Sequence, residues 1–200
     1  MDDRSATPRT ELYILLTNTY SLITRAIGLY TGEPYNHVSI GFDRNLSELF
    51  SFGRLQPRNP WIGGFVQEDV ESGTFAYFKD TRCALYRMQV TPGQWQAVRD
   101  AVREFELQKE KYSFNAIGFA GVAAGYPIDR RYAYFCSQFV STVLDRGGVR
   151  LFSKPCGLVT PADFQRCQRL TRVYEGKLSE YRRSLSREDA VPAGIVSTDQ

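Results

Sequence analysis

The chain has 200 residues, 42% of them hydrophobic and 24% charged, which is enough apolar content for one sizeable core. Its net charge is only +3 and its Lys and Arg are dispersed, so it lacks the concentrated basic stripe of a nucleic-acid footprint. Residues 1–20 contain no uninterrupted apolar run of the secretory type, and the longest weakly polar stretch, NAIGFAGVAAGY, is too short and too glycine-rich to span a bilayer, so a soluble cytoplasmic protein is expected.

In chain order, residues 1–10 are polar and read as a flexible N-terminus. ELYILLT (11–17) reads as a buried strand, and SLITRAIGLYTG (21–32) carries helical spacing that ends at Gly32 and Pro34. NHVSIGF (36–42) and ELFSFG (48–53) flank the turn-forming DRNLS and predict an antiparallel hairpin. Residues 54–74 are rich in Pro, Gly and Asn and read as an ordered loop carrying Trp61.

TRCALYRMQV (81–90) predicts another strand. A helix follows over 91–109, with Thr91 as N-cap and Pro92 at the first helical position. Residues 112–126, dominated by small side chains, read as helical and closely packed. The stretch from Cys136 puts Phe139, Val140, Val143 and Leu144 on one helical face and stops at Gly147-Gly148. TPADFQRCQRL (160–170) repeats the Thr-Pro helix start. The domain expectation is a single domain over 11–180 followed by a solvated tail over 181–200. The class is α+β, a central antiparallel sheet with helices at one side.

The four cysteines, Cys83, Cys136, Cys156 and Cys167, show no C-x-x-C pair and are expected as free thiols. With a single histidine they offer no ordinary metal set, so neither metal nor cofactor is expected. No P-loop, G-x-S-x-G elbow or Rossmann glycine pattern occurs.

Cys136 is placed differently from the other three. A thiol at a helix start meets unpaired backbone N–H groups and the positive end of the helix dipole, and both favour the nucleophilic thiolate. The only base of imidazole type is His37, on the first strand of the predicted hairpin. A sheet packed against a helix can join two residues this far apart in sequence. A buried structural cysteine and a satisfied histidine are the alternative.

NHVSIGFD, LSELFSFGR, KYSFNAIGF and YFCSQFVSTVLDRGGV together resemble the NlpC-type papain-like cysteine peptidase superfamily. The order, histidine before cysteine, is that of its circularly permuted branch, which includes lecithin:retinol acyltransferase-like proteins. The resemblance covers roughly residues 11–165. It implies a papain-like fold with the nucleophile helix packed on the sheet, Cys136 as nucleophile and His37 as base.

The third position, a polar side chain that orients the imidazole, falls on Ser51 by alignment of strand ends or on Glu48 by electrostatics, with Ser51 preferred. Three positions apart, the two face opposite sides of a regular strand. Tyr112 matches the tyrosine that assists the oxyanion, although a long insertion separates it from Cys136 and a core tyrosine is equally consistent. The implied activity is hydrolysis of an amide in a peptide or cell-wall-type fragment. Acyl transfer or hydrolysis on a lipid ester or thioester is the alternative. A non-catalytic module that retains the fold, or a redox-sensing thiol protein, is the competing class. The expected partner is a peptide-, amide- or acyl-ester-type substrate; the oligomeric state is open.

Overall fold

The computed structural model describes residues 10–19, 32–56, 59–115, 118, 121–122, 125–128 and 130–189. Alternating apolar residues build a six-stranded antiparallel sheet in the order β4-β3-β2-β1-β5-β8. Its strands are β1 (Thr10–Asn18), β2 (His37–Gly41), β3 (Leu49–Gln56), β4 (Asn59–Glu68), β5 (Arg82–Val90) and β8 (Thr171–Lys177). A short parallel pair, β6 (Ser113–Phe114) with β7 (Ala133–Tyr134), lies beside it. The helices are α1 (Gly73–Tyr77), α2 (Pro92–Leu107), α3 (Cys136–Arg146), α4 (Pro161–Arg166) and α5 (Leu178–Asp189).

Both faces of the sheet are covered. On one, Leu12, Ile14, Val38, Ile40, Phe50 and Phe52 meet the apolar stripes of α2 and α3, with Phe105 and Phe139 fully buried between them. On the other, Tyr13, Leu15, Leu49, Cys83 and Leu85 meet Phe75 of α1 and Leu178, Tyr181 and Leu185 of α5. The architecture is therefore α+β, with the large antiparallel sheet expected and helices on two sides instead of one.

Several sequence expectations match. The predicted hairpin forms, with Ile40 opposite Phe50 and Gly41 opposite Leu49. The helix after β5 starts with a complete capping box, Thr91 accepting from the Gln94 amide and the Gln94 side chain accepting from the Thr91 amide. α3 begins at Cys136 and ends at Arg146, before the glycine pair.

Further expectations are corrected. Residues 54–74 are not a loop. β3 runs on to Gln56, and Asn59–Glu68 form the edge strand β4, with Phe65 opposite Phe52 and Glu68 opposite Leu49. The glycines that suggested a loop answer a packing need. A Cβ on Gly63 would lie only 3.0 Å from both Gly53 O and Phe114 Cβ, and one on Gly64 only 3.3 Å from Tyr112 O. The backbone around β6 crosses β4 closely at that point.

The second correction concerns the C-terminus. The segment after α4 forms β8, and residues 181–189 continue α5 where a solvated tail was expected, because Leu178, Tyr181 and Leu185 recur at helical spacing and are buried. Residues 112–126 include strand β6 at a place read as helix. The expected flexible residues 1–9, the helix over 21–32 (apart from Gly32), and residues 190–200 lie outside the described residues. Among the described residues, no helix is long and apolar enough to cross a membrane.

Replacing Leu185 by Ala should lower the unfolding free energy by about 2–4 kcal/mol in urea titrations, the usual cost of truncating a buried leucine. An unchanged midpoint would return this segment to the solvated tail.

Candidate active site

The site is assembled by strand alternation. The register places Gly41 opposite Leu49 and Leu49 opposite Glu68. Counting in twos along each strand brings His37 and Ser39 of β2, Ser51 of β3 and Glu68 of β4 onto one face. A carboxylate thus stands two strands away from the histidine and within reach of it.

The contacts follow that layout. His37 Nε2 lies 2.9 Å from Glu68 Oε1, with the side chains only 20% and 11% exposed. The Ser39 hydroxyl donates a short hydrogen bond to Glu68 Oε2. Ser51 is fully buried beside them, its Oγ off the geometry of a regular hydrogen bond. A methyl group placed on Gly53 would sit 3.3 Å from Ser51 Oγ and in ordinary contact, 3.5 Å, with His37 Cε1.

Cys136 completes the group. It is the first residue of α3, its exposure only 8%, and the preceding Phe135 supplies no side-chain cap to the helix start. His37 is the first residue of β2, so the end of a helix and the end of a strand meet at the rim of the sheet. The imidazole has Glu68 as its hydrogen-bonding partner, and Cys136 is near enough to act on its charge.

Electrostatics favour a charged ring. Burial alone would pull the imidazole below its ordinary value, but the Glu68 charge and the hydrogen bonds to Cys136 and Glu68 outweigh it and push His37 up to about 10. On the other partner, burial works to raise the Glu68 carboxyl, yet the His37 charge and the hydrogen bonds of His37 and Ser39, aided by Ser51, hold it below the usual carboxylate range. At neutral pH the site is an ion pair, with a cationic imidazole facing a cysteine at a helix N-terminus.

Of the residues singled out in the sequence, the structure brings Cys136 and His37 together and places Ser51 on their face. Glu48 it places elsewhere. Its carboxylate grips Arg99 of α2 through bonds of 2.5 and 2.6 Å, on the opposite side of the hairpin from His37. Tyr112 lies in the aromatic cluster, with its ring 4.7 Å from Phe105 and 5.9 Å from both Phe52 and Tyr134 (centroid distances). The core reading of that tyrosine therefore fits its surroundings. The side chain of Trp61, in β4, lies outside the described residues.

All four cysteines are free. Cys83 serves as a contrast to Cys136, since it is fully buried in β5, where burial pushes its thiol up to about 12.

Sequence reasoning missed Glu68 and Ser39. The signal for Ser39 was the two-residue step from His37. The signal for Glu68 was the alternation in FVQE, hidden by the glycine pair before it. Comparison with protein-family models, curated proteins and solved structures found no match to this chain.

The ion pair should make stability pH-dependent in a specific direction. A histidine raised in the folded state contributes stability fully below its unfolded value near 6.5 and loses it as pH rises through about 10. Glu68→Gln should cost about 3 kcal/mol near neutrality. The gap between the variants in chemical-denaturation midpoints should shrink steadily across the interval from about 6.5 to about 10. A gap independent of pH there would show that the pair does not hold a proton on His37.

Proposed function

We propose that the protein is a cysteine-dependent hydrolase of papain-like type, with Cys136 as nucleophile, His37 as acid and base, and Glu68 as the residue that orients and charges the imidazole. One observation carries this reading. The chain's only histidine sits between a buried carboxylate and a thiol at a helix start. The orienting role, left between Ser51 and Glu48 by sequence, falls to Glu68. The permuted order of the two reactive residues and the antiparallel sheet beneath the α3 helix support the same class.

The chemistry begins when the Cys136 thiol releases its proton to solvent beside the already cationic His37. The Cys136 thiolate attacks a carbonyl carbon, forming a C–S bond as the carbonyl electrons move to oxygen. The Cys136 backbone N–H, at the start of α3, is the natural donor to that oxyanion. Collapse re-forms the carbonyl and expels the leaving group, an amine or an alcohol, which takes its proton from the His37 imidazolium. The neutral imidazole then accepts a proton from water as the water attacks the thioester. The acid product departs, and Cys136 leaves as thiolate beside a restored imidazolium. Glu68 stays ionised throughout and keeps the ring aimed.

The substrate class is an amide of the peptide or cell-wall-fragment type, with acyl esters or thioesters as the alternative that the same steps accommodate. The competing classes part from this reading at His37. A redox-sensing thiol would not need the imidazole, and a non-catalytic module would need neither residue.

Iodoacetamide labelling of Cys136, followed by mass spectrometry, tests the pair without knowledge of the substrate. Rapid labelling near neutral pH should slow by about tenfold or more in His37→Ala, the scale of a lost acid–base partner. Cys136→Ser should abolish hydrolysis of amide and ester probes with little change in thermal stability. Equal labelling in both proteins at the rate of an ordinary thiol would leave Cys136 as packing and remove the hydrolase reading.

A further inference from the structure

A buried hydroxyl without a regular partner requires a physical reason, since most such groups in folded proteins are satisfied. Ser51 Oγ is one of these. It is fully buried, its strand neighbour across β4 is Val66, and the polar groups on its face are His37, Ser39 and Glu68. Glu68 already accepts from His37 on Oε1 and from Ser39 on Oε2, and each carboxylate oxygen has a further lone pair to offer.

Ser39 and Ser51 belong to adjacent strands. The register that pairs Ile40 with Phe50 carries one step further to set the two serines side by side. They flank the carboxylate from β2 and β3 while His37 meets it at the rim. We propose that Ser39 and Ser51 act as a two-hydroxyl clamp that keeps Glu68 ionised and aimed at His37, which makes both serines positioning residues for the Cys136 chemistry.

The clamp decides where the pair's proton resides. Between a bare buried carboxylate and an imidazole, the proton can sit on either, and a neutral acid–neutral imidazole pair avoids two buried charges. Hydroxyls that donate to the carboxylate favour its charged form and leave the proton on the ring. The groups acting on Glu68 are the His37 imidazole and Ser39 hydroxyl from β2 and the Ser51 hydroxyl from β3. Those acting on His37 are Glu68 from β4 and Cys136 from α3. The inference rests on the proposed catalytic reading for its consequence at Cys136, but the ionisation of Glu68 can be read without any reaction.

The experiment follows the Glu68 carboxyl carbon by NMR through an acid titration of the full chain, with the resonance identified by its disappearance in Glu68→Gln. Ser39→Ala and Ser51→Ala should each move the Glu68 midpoint to higher pH, and the double variant should move it furthest. Ser141→Ala, which removes a buried hydroxyl that donates to Gln138 O, should leave it in place. The acid-side loss of Cys136 labelling should shift in step with the midpoint. If Ser51→Ala does not fold, Ser39→Ala carries the same readout. A Glu68 midpoint unmoved by either serine in folded protein overturns the clamp, whatever Cys136 does. A midpoint that moves while Cys136 proves inert upholds the clamp and removes the hydrolase reading instead.

Discussion

The ion pair between Glu68 and His37 is the constraint around which the site is organised. Two charged side chains in a nearly closed part of the sheet are costly unless each satisfies the other. Here the carboxylate has a cationic ring on one oxygen and a hydroxyl on the other, and the ring has the carboxylate on one side and a thiol on the other. Removing either partner leaves a stranded charge or forces a proton to move. The pair therefore ties local stability to the charge that Cys136 experiences.

The fold supplies this pair through strand order. β2, β3 and β4 are consecutive in the chain and adjacent in the sheet, so a residue on each reaches one spot with no long connection. Glycine at 63 and 64 lets the backbone around β6 cross the edge strand. α3 is fixed from the opposite side by Phe139, Val140 and Val143 in the main core, which leaves its first residue at the rim. The ends of helix and strand that meet at this site are thus held by packing in the main core.

Much of this was legible in the sequence. The hairpin carrying His37 and the helix opening at Cys136 follow from alternation, from a turn and from helical spacing, all local signals. That at most one of Glu48 and Ser51 shares a face with His37 was also accessible, since the two differ by an odd number of positions. Glu68 was not accessible, because its strand carries glycines that answer a contact with a segment far along the chain, and local reading takes Gly-Gly for a loop. The C-terminal helix was missed for a related reason. Its apolar residues are few, and they are buried only because the second face of the sheet awaits them.

The most direct measurement is the 15N spectrum of the His37 ring at about pH 8, well above the ordinary imidazole value. As the chain's one histidine, it gives signals that need no deconvolution. The account predicts both ring nitrogens protonated at that pH, with the cation lost only toward about 10. A neutral ring at pH 8 would contradict it, because Cys136 would then face no standing charge and Glu68 would be an orienting group at most.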